Sequence, residues 1–314
     1  MRFGTGLTNL TGRSALTSRG GGGLRLLLLE SEQFVIDDFL AHSPGTPLEG
    51  LEPLRGQAWT GVGGWDVADS GIDSDIPVGE HGVRAVHGSG NVTDIVRTSI
   101  AGAAESITGH ARVGGLIQDA NAGASFRVRV REGSWGRWEA WWVRSSPGFY
   151  TLQLRRWTPG SGSVVLASQT IGSYSGSTAF GWLRVSWHRD GFSAIAALSG
   201  NSVELEYQGT DFGDNAGHVR SFTYFTGSGS IKTVVRAVTV TGFKGTLVEG
   251  LPPGYKVRVG SSVFPGDNGI AEIGFGDVGM REGDLEVLDD SDELVTSVDG
   301  PVFEGRRYLL PALS

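Results

Sequence analysis

Residues 182–208 read WLRVSWHRDGFSAIAALSGNSVELEYQ. Leu183, Val185 and Trp187 alternate with Arg184, Ser186 and His188, the two-residue period of a strand with one buried face. Asp190-Gly191 supplies the positive backbone torsions of a tight hairpin turn, and residues 192–198 return antiparallel. Gly200-Asn201 turns again into Val203, Leu205 and Tyr207, whose neighbours Glu204, Glu206 and Gln208 face water. Successive hairpins make a meander, which fixes the class as all-β.

The same period extends outward on both sides. Phe126, Val128 and Val130 alternate with Arg127, Arg129 and Arg131, and Tyr150, Leu152 and Leu154 with Thr151, Gln153 and Arg155, before Pro159-Gly160 opens a loop. Residues 222–226 and 231–240 add two strands, the second apolar on both faces and therefore central. No segment of ten residues or more carries a convincing helical period, which favours a sandwich or barrel over strand-helix alternation, and an antiparallel sandwich is the expectation.

Composition bounds the rest. The 314 residues are 39% hydrophobic and 19% charged, enough to bury a core. Glycine contributes 51 residues, more than twice the roughly 7% expected, against 11 prolines and no Gly-X-Y period, which points to tight turns and not to collagen. The absence of cysteine removes a disulfide framework, zinc-thiolate sites and thiol catalysis. A net charge of -8 argues against a nucleic-acid partner.

Length predicts two domains. Residues 1–33, with four arginines, two glutamates and the run Gly20 to Gly23, read as an N-terminal extended arm and glycine joint of charge +2. Residues 34–243 hold the sandwich. Residues 244–314 carry 6 basic and 13 acidic side chains and read as a small acidic β-sandwich domain. The apolar run at residues 26–29 is too short for a secretory signal or a membrane span, so Sec-independent placement and no membrane insertion are expected. The arm is either a disordered terminus or an assembly arm inserting Leu7, Leu10, Arg13, Leu16 and Arg19 into a neighbouring subunit, with residues 24–29 as a first strand.

Asp37-Asp38-Phe39, then Trp59 and Gly63-Gly64-Trp65-Asp66-Val67, then Trp182-Leu183-Arg184-Val185-Ser186-Trp187 with Asp190-Gly191, stand in an order that resembles the concanavalin/laminin-G-like jelly rolls of phage tail and other virion proteins. The C-terminal domain resembles the small immunoglobulin-like appendage domains of phage structural proteins. The resemblance implies a non-enzymatic component of a bacteriophage or phage-like particle, located in the virion. The arm would contact other virion proteins, and homo-oligomers are expected, because particle positions are filled by symmetric copies.

Nine tryptophans are many for this length. Trp135, Trp138 and Trp142 are candidates for stacking on a cell-surface glycan, with Trp141 on the opposite strand face; the alternative is that these rings are core. Asp66, Asp69, Asp73 and Asp75 could supply hard oxygen ligands to calcium, or form an ordinary acidic loop. No other cofactor is expected. No catalytic residue is assigned. Glu204 and Glu206 have the alternate spacing of a jelly-roll glycosidase pair, but strand alternation explains them as a solvated face. The six histidines are scattered, and no Gly-X-Ser-X-Gly elbow appears. A carbohydrate-binding lectin-like protein is the alternative function, and a polysaccharide-degrading enzyme ranks below it.

Overall fold

The structure, a computed structural model, describes residues 26–29, 35–56, 58–59, 64–74, 76–87, 93–94, 109–118, 125–133, 136–146, 148–173, 178–188, 191–198, 200–209, 220–225, 231–241, 244–276 and 279–311. These residues contain strands, turns and no helix. The first strands among the described residues are β1 (Leu27–Leu29), β2 (Val35–Asp37), β3 (Asp66–Ala68), β4 (Gly82–His87) and β5 (Thr93–Asp94). Long strands follow: β6 (Gly109–Gln118), β7 (Ser125–Gly133), β8 (Gly136–Ser146), β9 (Phe149–Thr158) and β10 (Gly162–Ser173). The meander comprises β11 (Thr178–His188), β12 (Gly191–Leu198) and β13 (Asn201–Gln208), followed by β14 (Arg220–Phe225) and β15 (Ile231–Thr241).

Two antiparallel sheets build a jelly-roll sandwich, one ordered β13-β12-β11-β6-β15-β4-β3 with β2 beside the far half of β15, the other ordered β10-β9-β8-β7-β14-β5. Alternation decides which side chains enter the core. Leu183, Val185, Ala194, Ala196 and Val113 from the first sheet meet Val128, Ala140, Leu152 and Leu154 from the second, all at 0–1% exposure. The strand apolar on both faces, β15, is central, between β6 on one edge and β4 and β2 on the other.

Glycines follow two separate requirements. Gly200, at φ +87°, supplies the left-handed torsion of the β12–β13 turn. Gly191 has a different reason from the one expected: it lies inside β12 opposite His188, and a Cβ there would run into the Tyr207 carbonyl oxygen. Close backbone approach on the β13 side, not turn torsion, requires it.

A second compact unit is formed by residues 245–276 and 280–311 together with residues 26–29. Its strands are β16 (Thr246–Glu249), β17 (Lys256–Val259), β18 (Ser262–Pro265), β19 (Ile270–Ile273), β20 (Met280–Arg281), β21 (Leu285–Leu288), β22 (Leu294–Val298), β23 (Val302–Phe303) and β24 (Arg307–Leu309). One sheet runs β1-β24-β16-β19 and another β18-β17-β21-β22, around Val248, Val257, Ile273, Leu285, Val287 and Tyr308. Residues 27–29 form a strand, as the apolar run suggests, and it pairs antiparallel with β24, while Leu26 enters the same core at 5% exposure. The remaining arm positions Leu7, Leu10, Arg13, Leu16 and Arg19 lie outside the described residues.

Candidate functional site

The face of the larger sheet that points away from the sandwich core carries an unusual row. Strand register places Ala237 of β15, Gly114 of β6, Trp182 of β11, Ala197 of β12 and Ser202 of β13 side by side across five strands. Three of these five positions have little or no side chain, so the row is a trough with one aromatic ring in it. A Cβ added to Gly114 would meet nothing within 4 Å. The trough is part of a cavity of about 710 Å³, within the usual range for small-molecule sites.

Its ends are polar. Gly200, Asn201 and Ser202 form one end, and Asp38, Leu40, Glu80 and His81 the other. Arg236 beside them is ion-paired with Glu80. The guanidinium of Arg184 lies 4.1 Å from the Trp182 ring centroid. The lining therefore combines an apolar floor, one indole and several groups able to exchange hydrogen bonds with hydroxyls, while its Arg236 and Glu80 charges neutralise each other.

The Asp38 end is built on a locked turn. Asp37, at 0% exposure, accepts the Phe39 amide on Oδ1 at 2.9 Å and the Trp59 indole N–H on Oδ2 at 2.8 Å. His42 Nε2 lies 3.4 Å from Oδ2. Burial pushes the Asp37 carboxyl above its ordinary range, against the opposing pull of Trp59, the Phe39 amide and His42. Asp38 Oδ1 accepts the Leu40 amide at 3.1 Å, and His81 Nδ1 donates to the Phe39 carbonyl at 3.2 Å.

The tryptophans proposed for glycan stacking lie elsewhere. Trp138 and Trp142 are 1% and 0% exposed, inside the sandwich core, which corrects their assignment: a ring enclosed by protein on both faces cannot receive a sugar. Trp135 lies outside the described residues. Trp141 does point to the opposite face, half-buried, but the guanidinium groups of Arg127 and Arg155 lie 3.3 Å and 4.0 Å from its ring centroid.

The calcium candidates do not converge either. Asp69 Oδ1 accepts the amides of Gly71 and Ile72, Asp73 is buried with Oδ2 3.8 Å from Arg84, and Asp66 sits exposed on β3. Asp75 lies outside the described residues, among which no group of three or more His, Asp or Glu could hold a metal. The described carboxylates of this segment serve a turn and an ion pair and do not fit a calcium site. Glu204 and Glu206 are exposed on the edge strand β13, where Glu206 accepts the Gln208 amide.

Sequence reasoning missed Trp182, Gly114, Asp38 and His81. One signal was present: a tryptophan at an outward phase, between Gly181 and the solvated positions Arg184 and Ser186, is a ring with no core to enter. The adjacent glycines 114 and 115 inside a strand were a second.

No protein-family model and no curated protein matches the sequence. Solved structures that resemble it include the exoplasmic/lumenal domain of VIP36 in a Ca2+/Man3GlcNAc-bound form, 13% identical with a TM-score of 0.42 over 69% of this chain and 90% of that one. A legume lectin-like domain from Entamoeba histolytica is 11% identical with a TM-score of 0.37 over 56% and 89%. The GH43 protein BlXynB from Bacillus licheniformis is 11% identical with a TM-score of 0.39 over 68% of this chain and 40% of that one.

Proposed function

We propose that the chain is a non-enzymatic, carbohydrate-binding component of a phage-like particle, taking a neutral glycan in the trough of the larger sheet. The observation that carries this reading is the row Ala237, Gly114, Trp182, Ala197 and Ser202. A sugar ring has an apolar face that packs on an indole and a rim of hydroxyls that needs both donors and acceptors. Trp182 supplies the first; Asp38, His81, Asn201 and Ser202 supply the second. An uncharged ligand is the reading favoured by the pairing of Arg236 with Glu80, and the Asp38 carboxylate in the lining disfavours an anionic one.

Gly114 provides a clean test. Its ordinary strand backbone and open surroundings accept a side chain without strain, so Gly114→Val should keep or slightly raise the melting temperature while filling the trough. Wild-type protein screened on a glycan array and titrated with its hits should bind, Gly114→Val should not, and Trp182→Ala should bind at least about tenfold more weakly, the loss of about one stacking contact. Binding indifferent to both substitutions would overturn this reading.

The particle setting is supported by the sequence resemblance and by the basic N-terminal segment. Deleting residues 1–23 retains strand β1 and should leave both compact units folded while abolishing incorporation into particles, measured by quantitative mass spectrometry of purified particles. Incorporation at the wild-type copy number would remove the anchoring role of the arm.

A further inference from the structure

We propose that Asp37 is the positioning residue of the trough: its buried carboxylate ties the turn at residues 38–42 to Trp59 and so holds Asp38, Leu40 and His81 in the wall that a ligand meets. This inference rests on the trough being a binding surface, and it names the device that shapes it.

Two consecutive aspartates divide the work. Asp37 points inward at 0% exposure and Asp38 lines the cavity. Between them and Leu40 stands Phe39, a non-glycine residue at φ +63° with its ring fully buried 6.0 Å from that of Trp59. A bulky residue in the left-handed region is strained, and such a backbone persists only where its surroundings over-determine it. Asp37 does this from one side, fixing the Phe39 amide with one oxygen and the Trp59 indole with the other. The strand behind it is itself fixed, by pairing with Val238 of β15 and by the reciprocal 3.0 Å hydrogen bonds between Ile36 and Arg55.

The turn transmits this hold to the wall at two points. The Phe39 carbonyl accepts both the His42 amide at 3.2 Å and the His81 imidazole at 3.2 Å, so the direction of that carbonyl sets where His81 stands. The Leu40 amide is held by Asp38 Oδ1, which aims the rest of the Asp38 carboxylate. Only a carboxylate meets the demand at position 37, because donors approach both of its oxygens. An asparagine of the same size would offer one acceptor and turn an N–H against the other donor.

Asp37→Asn is therefore the direct test, with Trp59→Phe, which removes one donor and keeps an aromatic ring, as the second variant should the first fail to fold. The readouts are residue-resolved amide exchange and titration with maltotriose, cellotriose and mannotriose. In either variant, exchange at Phe39, Leu40 and His42 should rise at least about tenfold while core amides such as that of Val185 keep their protection, and any Trp182-dependent binding should weaken at least about tenfold. Unchanged exchange at residues 39–42, or wild-type affinity in a variant whose binding still depends on Trp182, would overturn the positioning role. If the wild type binds none of the three sugars, these neutral probes count against the trough as a glycan site, and the exchange measurement by itself decides the role of Asp37.

Discussion

Trp142→Ala should remove about 3–5 kcal/mol of folding stability, a large share of the roughly 5–15 kcal/mol that holds a domain of ordinary size. The ring is 0% exposed and packs 5.7 Å from the Tyr150 ring. Gly181, in the facing sheet, has no room for a side chain, because a Cβ there would collide with the Trp142 ring and with the Ala197 carbonyl. The indole thus occupies space that a neighbouring residue has vacated for it. Truncation leaves a cavity bordered by backbone that cannot move in, since strand spacing is set by the ladder hydrogen bonds.

The measurement is urea unfolding followed by tryptophan fluorescence. All nine tryptophans fall between residues 59 and 187, within the jelly-roll unit, so the signal reports that unit and not the C-terminal one. The midpoint should drop with an unchanged slope. Trp141→Ala, one residue away, is the control: a half-buried ring between two guanidinium groups should cost about 1 kcal/mol. Equal losses at positions 141 and 142 would contradict the assignment of their faces.

That contrast also shows what a sequence can and cannot convey. Period-two alternation at residues 183–187, 192–198 and 203–207 yields strands and their phases, and the structure has them. Phase alone does not say which side is covered. Trp138 and Trp142 share a phase that faces the opposite sheet, while Trp182 shares one with Arg184 and Ser186, the side turned away from the core. The trough lies deeper still, because Ala237, Gly114, Trp182, Ala197 and Ser202 come from five strands spread over more than a hundred residues, and only the register of the assembled sheet aligns them. Pairing of residues 27–29 with residues 307–309 is hidden for the same reason: three leucines do not announce a partner at the other end of the chain. At Asp69 and Asp73 the residue types suggest oxygen ligands, yet Asp69 is taken by a local turn, through amides two and three residues on, and Asp73 by Arg84, whose approach the strand alternation does not convey.

Acidification from about pH 6.5 to about pH 4.5 should destabilise the jelly-roll unit, and His110 should account for much of the slope. Its side chain is 2% exposed, with Nδ1 3.0 Å from the Ser186 hydroxyl. Burial first, then the charges of Arg112, Lys244 and Arg184, push the imidazole down to about 3. The unfolded chain takes up this proton near pH 6.5, as an ordinary histidine does. The folded imidazole stays neutral through the window below it. More protons are then bound by the unfolded state, so stability is complete above about pH 6.5 and falls by up to about 1.4 kcal/mol per pH unit on going lower. Asp37 works in the opposite sense, since its raised folded value means that acid favours the native state as that carboxyl protonates. It cannot be the source of an acid-driven fall. Urea midpoints taken by tryptophan fluorescence in half-unit steps would measure the slope, and His110→Gln, which keeps a polar group for Ser186 but cannot titrate, should flatten it even if the substitution costs about 1–3 kcal/mol at pH 8. A slope that survives His110→Gln undiminished would assign the acid sensitivity to other groups and overturn the expectation.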